Sequence, residues 1–312
     1  MKNKLLQNKT VRDQGGLILV IIVLCVIFTL LNPTFMTGDN IMNIVRQAAV
    51  NIILAMGITM VMIAGELDLS LGGVACVTGM VIAKLLTSGL SIPLVILLGL
   101  LLGAGIGLLS GWLSTAFSLS SLIITLAIDN ASKGTANLIT GGTAVYGLPE
   151  EFETLGRGMI GAIPVQVFIM VVIVVASWII LNKTLLGRYA MAIGGNNQVA
   201  KLAGIPVKKY KRIYFIICSA LAALAGMILT SRLASGQPTL ATNVTMDSIT
   251  ASVLGGTAMA GGYGSVVGST LGALLLTIIT NGLTINGINS YWQMVISAAI
   301  LIVTIVARRK KD

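Results

Sequence analysis

Long runs of apolar residues without charge, separated by short polar segments, dominate the pattern of this chain. Within a run, apolar and polar residues do not alternate, so the pattern does not favour the strands of a membrane β-barrel. Backbone groups in lipid must then be satisfied inside helices. A helix needs roughly 20 apolar residues to cross a hydrocarbon core about 30 Å thick. The pattern therefore predicts an all-α membrane protein.

Breaks in the runs divide them into about ten predicted transmembrane helices. The uncharged run 85–128 is too long for one span, and breaks near 91–93 and 118–121 give a fourth helix and the start of a fifth. The run 248–307 is long enough for three spans, with breaks at 261–264 and 286–290. The remaining predicted helices lie within 14–38, 47–65, 69–87, 158–182 and 213–231. We expect one transmembrane domain over 1–312, with some helices broken or re-entrant.

Composition supports a membrane location. Hydrophobic residues make up 56% of the chain and charged residues only 10%. Soluble domains carry roughly 25% charged residues to wet their surface. A globule of this composition could not cover itself with water-compatible side chains, so lipid is the expected solvent.

The distribution of charge predicts the orientation. Most of the 20 Lys and Arg residues lie in three segments, 1–14, 183–212 and 308–312. Basic loops stay in the cytoplasm, so both termini and the loop 183–212 are expected there, which ten spans allow. The acidic loop at 150–153 falls on the opposite side. The cytoplasmic placement of the basic segments accounts for the net charge of +10, so no nucleic-acid partner is expected.

The apolar run 17–31 follows a basic N-terminal segment, as in a signal peptide. No small-x-small cleavage site follows it, so we interpret it as an uncleaved first helix.

Catalytic and metal-binding patterns are missing from the sequence. It has no histidine, no GxSxG and no HExxH. Lys183-Thr184 follows Asn182 rather than glycine, so there is no P-loop. We expect no enzyme, no metal and no bound cofactor, and an ATP-driven process would need ATP and Mg on a separate subunit. Cys25, Cys76 and Cys218 are expected to be small apolar side chains.

The first candidate site is the junction of the second and third helices, GELDLS at 65–70. In one interpretation it is a cytoplasmic turn in which Asp68 or Ser70 caps the third helix. In the other it is a broken-helix segment, where Glu66 and Asp68 meet a hydroxyl-rich solute or gate its exit.

The second candidate site is the unusually polar fifth helix. Asp129 and Lys133 are four residues apart and share a face. One interpretation is a neutralised pair facing the bundle. The other adds Asn130 and Asn137 to form a polar stripe along a solute path, since ionisable residues within a membrane are usually functional.

Two further segments carry alternatives. The glycine-rich stretch 255–264 predicts either close helix packing or a re-entrant segment. The segment 261–268 can be aligned with 65–72 through its glycines, which would make the two segments parts of an internal repeat. The loop 186–206 contains a short predicted helix, capped by Asn197 and ended by Gly204. That helix would either rest on lipid headgroups or dock in a partner's groove.

Four motifs together resemble the permease subunits of bacterial monosaccharide ABC importers, the ribose, xylose, arabinose and galactose group. They are GELDLSLGG (65–73), LGRYAMAIGGN (186–196), AKLAGI (200–205) and SVLGGTAMAGGYGSVVGSTLGA (252–273). The family motif near residue 65 is roughly G-x-D-L-S, so Asp68 and Ser70 match it, whereas Glu66 is not fixed by it.

The resemblance implies a multi-pass protein of the bacterial inner membrane that works as a homodimer with two ATPase subunits and an extracytoplasmic sugar-binding protein. It also implies that 194–205 is the helix that docks on the ATPase. The residues concerned are Gly194, Gly195, Asn196, Asn197, Ala200, Leu202, Gly204 and Ile205. Transport would proceed by alternating access, with a monosaccharide such as a pentose as substrate.

The main alternative is a secondary transporter driven by an ion gradient. The buried carboxylates predicted at 66, 68 and 129 would suit proton or sodium coupling. Such a transporter would not need a docking loop of this kind.

Overall fold

The structure, a computed structural model, describes residues 2–241 and 243–309 and is mostly helical there. The first helices are α1 (Lys2–Leu31), α2 (Gly38–Ile63), α3 (Leu71–Thr87), α4 (Ile92–Ala116) and α5 (Ser121–Thr140). The middle of the chain forms α6 (Glu150–Arg157), α7 (Val165–Lys183), α8 (Leu185–Gly195), α9 (Asn197–Leu202) and α10 (Val207–Leu233). The last helices are α11 (Val244–Leu254), α12 (Val266–Ile285) and α13 (Ser290–Arg309). Short strands β1 (Met159–Ile160) and β2 (Ile163–Pro164) form an antiparallel hairpin, and Pro33–Met36 is a 3₁₀ turn.

Each of the ten predicted helices overlaps a helix of the structure: α1 to α5, α7 and α10 to α13. In the described part of the chain, six are long and apolar enough to cross a membrane, namely α1, α2, α4, α7, α10 and α12. The all-α membrane fold is therefore confirmed. Because α3 has 17 residues and α11 only 11, the count of ten spans stays a prediction.

Helix α2 forms the centre of the bundle. Its side chains are buried on every side over most of its length, including Ile53, Leu54 and Met56. A helix that is apolar all round belongs in the interior of a bundle. Helices α7, α8, α10, α11 and α12 pack around it. By contrast, α1 and α7 expose many large apolar side chains, as lipid-facing helices do.

A stripe of glycines joins α4 to α10. Gly99, Gly103, Gly107 and Gly111 recur every four residues on the buried face of α4. A Cβ at Gly111 would lie 2.8 Å from the Arg212 Cα. Small residues at this spacing let two helix backbones approach closely, and in lipid such packing contributes much of the association between helices.

Several predicted boundaries were wrong, and most errors have one cause. Helix α2 begins at Gly38 rather than near 47 and contains Arg46. Helix α10 begins at Val207, so Lys208 to Arg212 belong to a helix instead of a loop. Charged residues indicate where a helix leaves the hydrocarbon core, but they do not indicate where the helix ends. Long basic side chains can reach water while the helix continues.

Helix α3 begins inside the bundle. After α2 the chain reverses at Gly65, whose φ is +77°, and runs without helical structure to Ser70. The Cys218 thiol lies beside the Asp68 carboxyl group, and Cys218 is about 16 Å along α10 from its first residue. Since α10 is about 40 Å long, the first turn of α3 lies well within the membrane-spanning part of the protein.

Candidate functional site

The candidate site is built around the N-terminus of α3. Asp68 and Ser70 are both fully buried there. One Asp68 carboxylate oxygen, Oδ1, accepts hydrogen bonds from the Ser70 backbone N–H at 2.9 Å and from its Oγ at 2.6 Å. The other oxygen, Oδ2, is buried and has no hydrogen-bond partner among the described residues. Asp68 therefore shapes the turn that leads into α3.

Side chains from two other helices bind the first turn of α3. The Asp129 Oδ1 on α5 accepts from the Gly73 N–H at 2.7 Å, and the Thr245 Oγ1 on α11 accepts from the Gly72 N–H at 2.9 Å. The first N–H groups of a helix have no partner within it and carry partial positive charge. A carboxylate is thus well placed at this position.

Lys133 completes the charge arrangement. Its Nζ lies 2.6 Å from the Asp129 Oδ2 as an i,i+4 ion pair. The Asp129 side chain is 8% exposed and that of Lys133 36%. Both carboxylate oxygens of Asp129 are therefore occupied, one by the α3 backbone and the other by the lysine.

Two glycines make this contact sterically feasible. A Cβ at Gly73 would lie 2.6 Å from the Asp129 backbone oxygen, and one at Gly72 would lie 2.8 Å from the Ala241 oxygen. Any larger residue would push α5 or the segment before α11 away from α3. The glycines of the motif are needed for packing as well as for the turn.

Further polar contacts tie the broken segment to α5. The Leu69 N–H donates to the Thr125 Oγ1 at 2.9 Å, and the Leu67 N–H donates to the Ser121 Oγ at 3.3 Å. Non-helical backbone within a membrane protein needs such internal partners, since lipid offers none. Two hydroxyls of α5 thus satisfy the backbone that precedes α3.

The structure brings together four of the predicted residues and leaves three apart. Asp68, Ser70, Asp129 and Lys133 surround the start of α3. Glu66 lies elsewhere and forms an ion pair with Lys211 of α10. Asn130 and Asn137 lie on the exposed face of α5. Capping of α3 by Ser70 is not observed, because the Ser70 side chain makes no cap hydrogen bond.

The exposed face of α5 is polar for a helix in a membrane protein. It includes Asn130, Gly134, Thr135 and Asn137. The Asn137 side chain is tied to the Lys133 carbonyl oxygen at 2.8 Å. Amide groups facing hydrocarbon cost free energy, so a second protein chain or water is a better neighbour for this face than lipid.

A cluster of buried hydroxyls went unrecognised in the sequence. The Thr59 Oγ1 of α2 lies 2.9 Å from the Ser252 Oγ of α11 and 2.8 Å from the Ser269 Oγ of α12. Thr257 joins the cluster through Ser269 at 3.3 Å. Single Ser and Thr residues inside apolar runs were the available sign, because such residues bind neighbouring helices within membranes.

Three loops meet where α2 ends. A Cβ at Gly194 would overlap the Ile63 backbone oxygen and the Gly262 nitrogen, and one at Gly261 would lie 2.6 Å from the Gly65 Cα. The Gly262 N–H also donates to the Ile63 oxygen at 2.8 Å. The end of α8 therefore touches the turns that follow α2 and precede α12, backbone against backbone.

The loop 183–212 is more ordered than its sequence indicated. It contains α8, α9 and the start of α10. The cap of α9 is Asn196 rather than the predicted Asn197, with the Asn196 Oδ1 accepting from the Val199 N–H at 3.0 Å. Gly204, with φ of +78°, follows the helix as predicted.

Helix α9 exposes apolar side chains. Leu202 is 89% exposed and Val199 59%, whereas Ala200 is buried and belongs to the main hydrophobic core. The other predicted docking residues also lie here, with Gly195, Asn196, Asn197 and Gly204 exposed and Gly194 and Ile205 partly buried. An apolar surface presented by a short surface helix suits a protein groove.

Comparisons with known proteins place these features in a family. A family profile described as the permease component of branched-chain amino acid transport systems matches residues 40–305. The ribose import permease protein RbsC of Escherichia coli K12 is 37% identical over 96% of this chain and 94% of its own length. RbsC of Bacillus subtilis 168 is 38% identical over 97% of this chain and 94% of its own length. The D-allose transport system permease protein AlsC of Escherichia coli K12 is 30% identical over 95% of this chain and 92% of its own length. No solved structure matches the chain.

Proposed function

Because this chain belongs to the permease family of bacterial monosaccharide ABC importers, we propose that it is the translocation subunit of an ATP-driven importer for a ribose-like sugar. It is a multi-pass protein of the bacterial inner membrane. In the proposed complex, a separate ATPase binds ATP and Mg, and an extracytoplasmic binding protein delivers the sugar.

The observation that best supports the proposal is the contact of Gly194 with the turns at Ile63 and Gly262. An ATPase bound to α9 would pull on α8, to which α9 is joined through Asn196. Because Gly194 touches both turns directly, that movement would reach the segments leading to α3 and α12. Close-packed contacts have low compressibility, so a displacement of α8 would be transmitted to both turns almost in full.

A second link runs through the broken segment itself. Glu66 is paired with Lys211, in the second turn of α10, and the side chains of both are mostly buried. The docking segment is followed directly by α10. Movement of the docking loop would therefore act on 65–70 from two directions.

In this proposal the sugar path runs along the polar face of α5, between two copies of the chain. Asn130 and Asn137 supply donors and acceptors suited to sugar hydroxyls. The pair of Asp129 and Lys133 holds α5 against α3 behind that face. Glu66, Asp68 and Ser70 then serve mainly to hold and couple the broken segment.

The alternative of ion-driven transport is less well supported. A carboxylate that carries a coupling ion must offer an oxygen to it, yet both oxygens of Asp129 are already bound. The Glu66 carboxylate is likewise paired with a lysine. The Asp68 Oδ2 is buried without a hydrogen-bond partner among the described residues, so Asp68 is the carboxylate that ion coupling at this site would have to use.

Ten spans would place the docking loop and both termini in the cytoplasm, in accordance with the distribution of Lys and Arg. The loops at 141–163 and 235–245 would then face the binding protein. Ribose is named for the RbsC relatives and D-allose for AlsC. A pentose or related monosaccharide is the substrate class we propose.

The experiment is co-purification of the tagged chain with its ATPase in mild detergent, followed by ribose uptake in proteoliposomes supplied with ATP and binding protein. Leu202→Asp should abolish capture of the ATPase. Tyr146→Asp, which adds the same charge at an exposed residue in the loop proposed for the other side, should leave capture unchanged. Uptake by the chain alone along an ion gradient would overturn the proposal.

A further inference from the structure

A large open cavity lies between the end of α4, helix α9 and the start of α10. Its volume is about 990 Å³. The side chains of Lys201, Lys208 and Lys209 line it, as do the apolar side chains of Leu108 and Ile216. Glu66 and the docking residues Asn197 and Ile205 also line it, but the transport mechanism proposed above uses none of the lysines Lys201, Lys208 and Lys209.

The charge of the cavity is strongly unbalanced. Lys211 pairs with Glu66, and the Arg212 Nε donates to the Thr115 Oγ1 at 2.8 Å. Within the described ranges, Lys201, Lys208 and Lys209 have no ion-pair partner, and Glu66 is the one acidic residue that lines the cavity. A site with this excess of ammonium groups favours an anion.

The cavity crosses the level of the membrane surface. Trp112 on α4 is exposed, one helical turn from the lining residues Leu108 and Thr115, and Trp residues concentrate at the boundary between lipid and water. Gly111 packs on the backbone of Arg212, which places Arg212 at that same level. Leu108 and Ile216 lie about 6 Å from this level along their helices, toward the bundle centre. Lys208 lies about 6 Å away in the opposite direction.

We propose that this cavity binds an anionic phospholipid. The phosphate would lie among Lys201, Lys208 and Lys209, and an acyl chain would run along Leu108 and Ile216. Basic pockets between helices on the cytoplasmic side of membranes suit such headgroups. The inference goes beyond sugar transport and does not depend on it.

The apolar wall favours a lipid over a protein partner. A soluble ATPase could reach the lysines, but not side chains about one turn below the Trp112 level. The Ser118 hydroxyl also lines the cavity and can donate to phosphate oxygens in addition to the lysines. Lys208 lies toward the water and Leu108 and Ile216 toward the bundle centre, as the headgroup and the acyl chain of a phospholipid require.

The test uses the full-length chain in nanodiscs of phosphatidylcholine containing a small fraction of phosphatidylglycerol, with retained lipid counted by native mass spectrometry. We expect preferential retention of phosphatidylglycerol. Lys208→Gln with Lys209→Gln should weaken it about thirtyfold, since each lysine near an anionic surface contributes roughly a factor of five. The matched control, Lys183→Gln with Arg188→Gln, removes two charges from exposed residues outside the cavity and should retain the preference.

Three outcomes would overturn the proposal. One is equal retention of the two lipids by the unaltered chain. Another is competition by millimolar inorganic phosphate, which would identify a free anion as the ligand. The third is unchanged lipid retention together with loss of ATPase capture in the Lys208 and Lys209 variant, which would make the cavity part of a protein interface. Lipid retention is measured without transport, so failure of the importer proposal would not produce any of these results.

Discussion

The carboxylate of Asp129 on α5 accepts the backbone N–H of Gly73 on α3 at 2.7 Å. A helix that starts inside a membrane protein has N–H groups that no water reaches. Asp129 supplies both the acceptor and the negative charge that this helix end favours. Lys133 then balances the charge.

Asp129→Asn should destabilise the protein more than Lys133→Met. The asparagine loses the charged hydrogen bond to Gly73 and leaves the lysine without its partner, at a cost of about 2–4 kcal/mol. Lys133→Met leaves the Asp129 charge without its lysine, but it keeps the bond from the Gly73 N–H that stabilises this charge, and the methionine fills similar space. Thermal unfolding in detergent of both single variants and the double variant measures the stability of each and the coupling energy between the two side chains. Equal losses of stability in the two single variants would contradict the prediction.

Exchanging the charges of Glu66 and Lys211 in a double variant should restore the sugar-stimulated ATP hydrolysis that is lost when only one of the two charges is reversed. Glu66→Lys or Lys211→Glu places like charges together in a mostly buried contact. We expect sugar-stimulated ATP hydrolysis by the reconstituted complex to fall roughly fivefold, equivalent to about 1 kcal/mol of coupling. The double variant should recover most of it. A double variant as impaired as the singles would show that the pair does not act as a unit.

Gly194→Ala should uncouple ATP hydrolysis from uptake. The added methyl group would overlap the Ile63 oxygen and the Gly262 nitrogen, so α8 must move. Gly195→Ala is the matched control, because nothing lies within 4 Å of its Cβ position. The measurement is the ratio of sugar taken up to ATP hydrolysed. Equal ratios in both variants would rule out the direct contact as the route of coupling.

Gly226→Ala and Gly105→Ala should change stability in opposite directions. A methyl group at Gly226 would overlap the backbone of Ala75 on α3, and such overpacking costs about 1–3 kcal/mol. Gly105 is helical with open space at its Cβ position, where alanine should add up to about 1 kcal/mol. Thermal unfolding in detergent measures both. Destabilisation by Gly105→Ala would count against the described packing of α4.

Asn130→Leu should lower the rate of sugar uptake without affecting stability. Asn130 is exposed on α5 in the single chain, so its loss should alter folding by no more than about 0.5 kcal/mol. Leu138→Ala on the same helix, at a residue 85% exposed, is the control and should leave uptake unchanged. Normal uptake by the Asn130 variant would exclude that side chain from the sugar path.

Much of the fold could be predicted from the sequence because lipid imposes a simple rule. Every uncharged run long enough to span a membrane contains at least one helix of the structure. The breaks near Pro93, Gly261 and Asn286 also separate helices as predicted. Glycine, proline and neighbouring polar residues interrupt the apolar pattern at these breaks. These residues end a helix through local backbone geometry, which can be predicted from the sequence alone.

The site was less predictable because its contacts are long-range. The spacing of Asp129 and Lys133 indicates their ion pair, since both lie on one helix. The bond from Gly73 to Asp129 joins two helices, and nothing local in either sequence reveals it. The same holds for Glu66 with Lys211 and for the hydroxyl cluster of Thr59. Helix α8 was missed because its glycines and polar neighbours are typical of loops.

Exposure of Leu202 and Val199 on α9 has a consequence for how the cell must make this protein. A copy without its partner presents an apolar patch of the kind that chaperones and proteases recognise in incompletely assembled proteins. If α9 docks on an ATPase as proposed, synthesis of the permease and of that ATPase has to be matched in amount and timing. Surplus permease would be degraded or would aggregate instead of accumulating in the membrane.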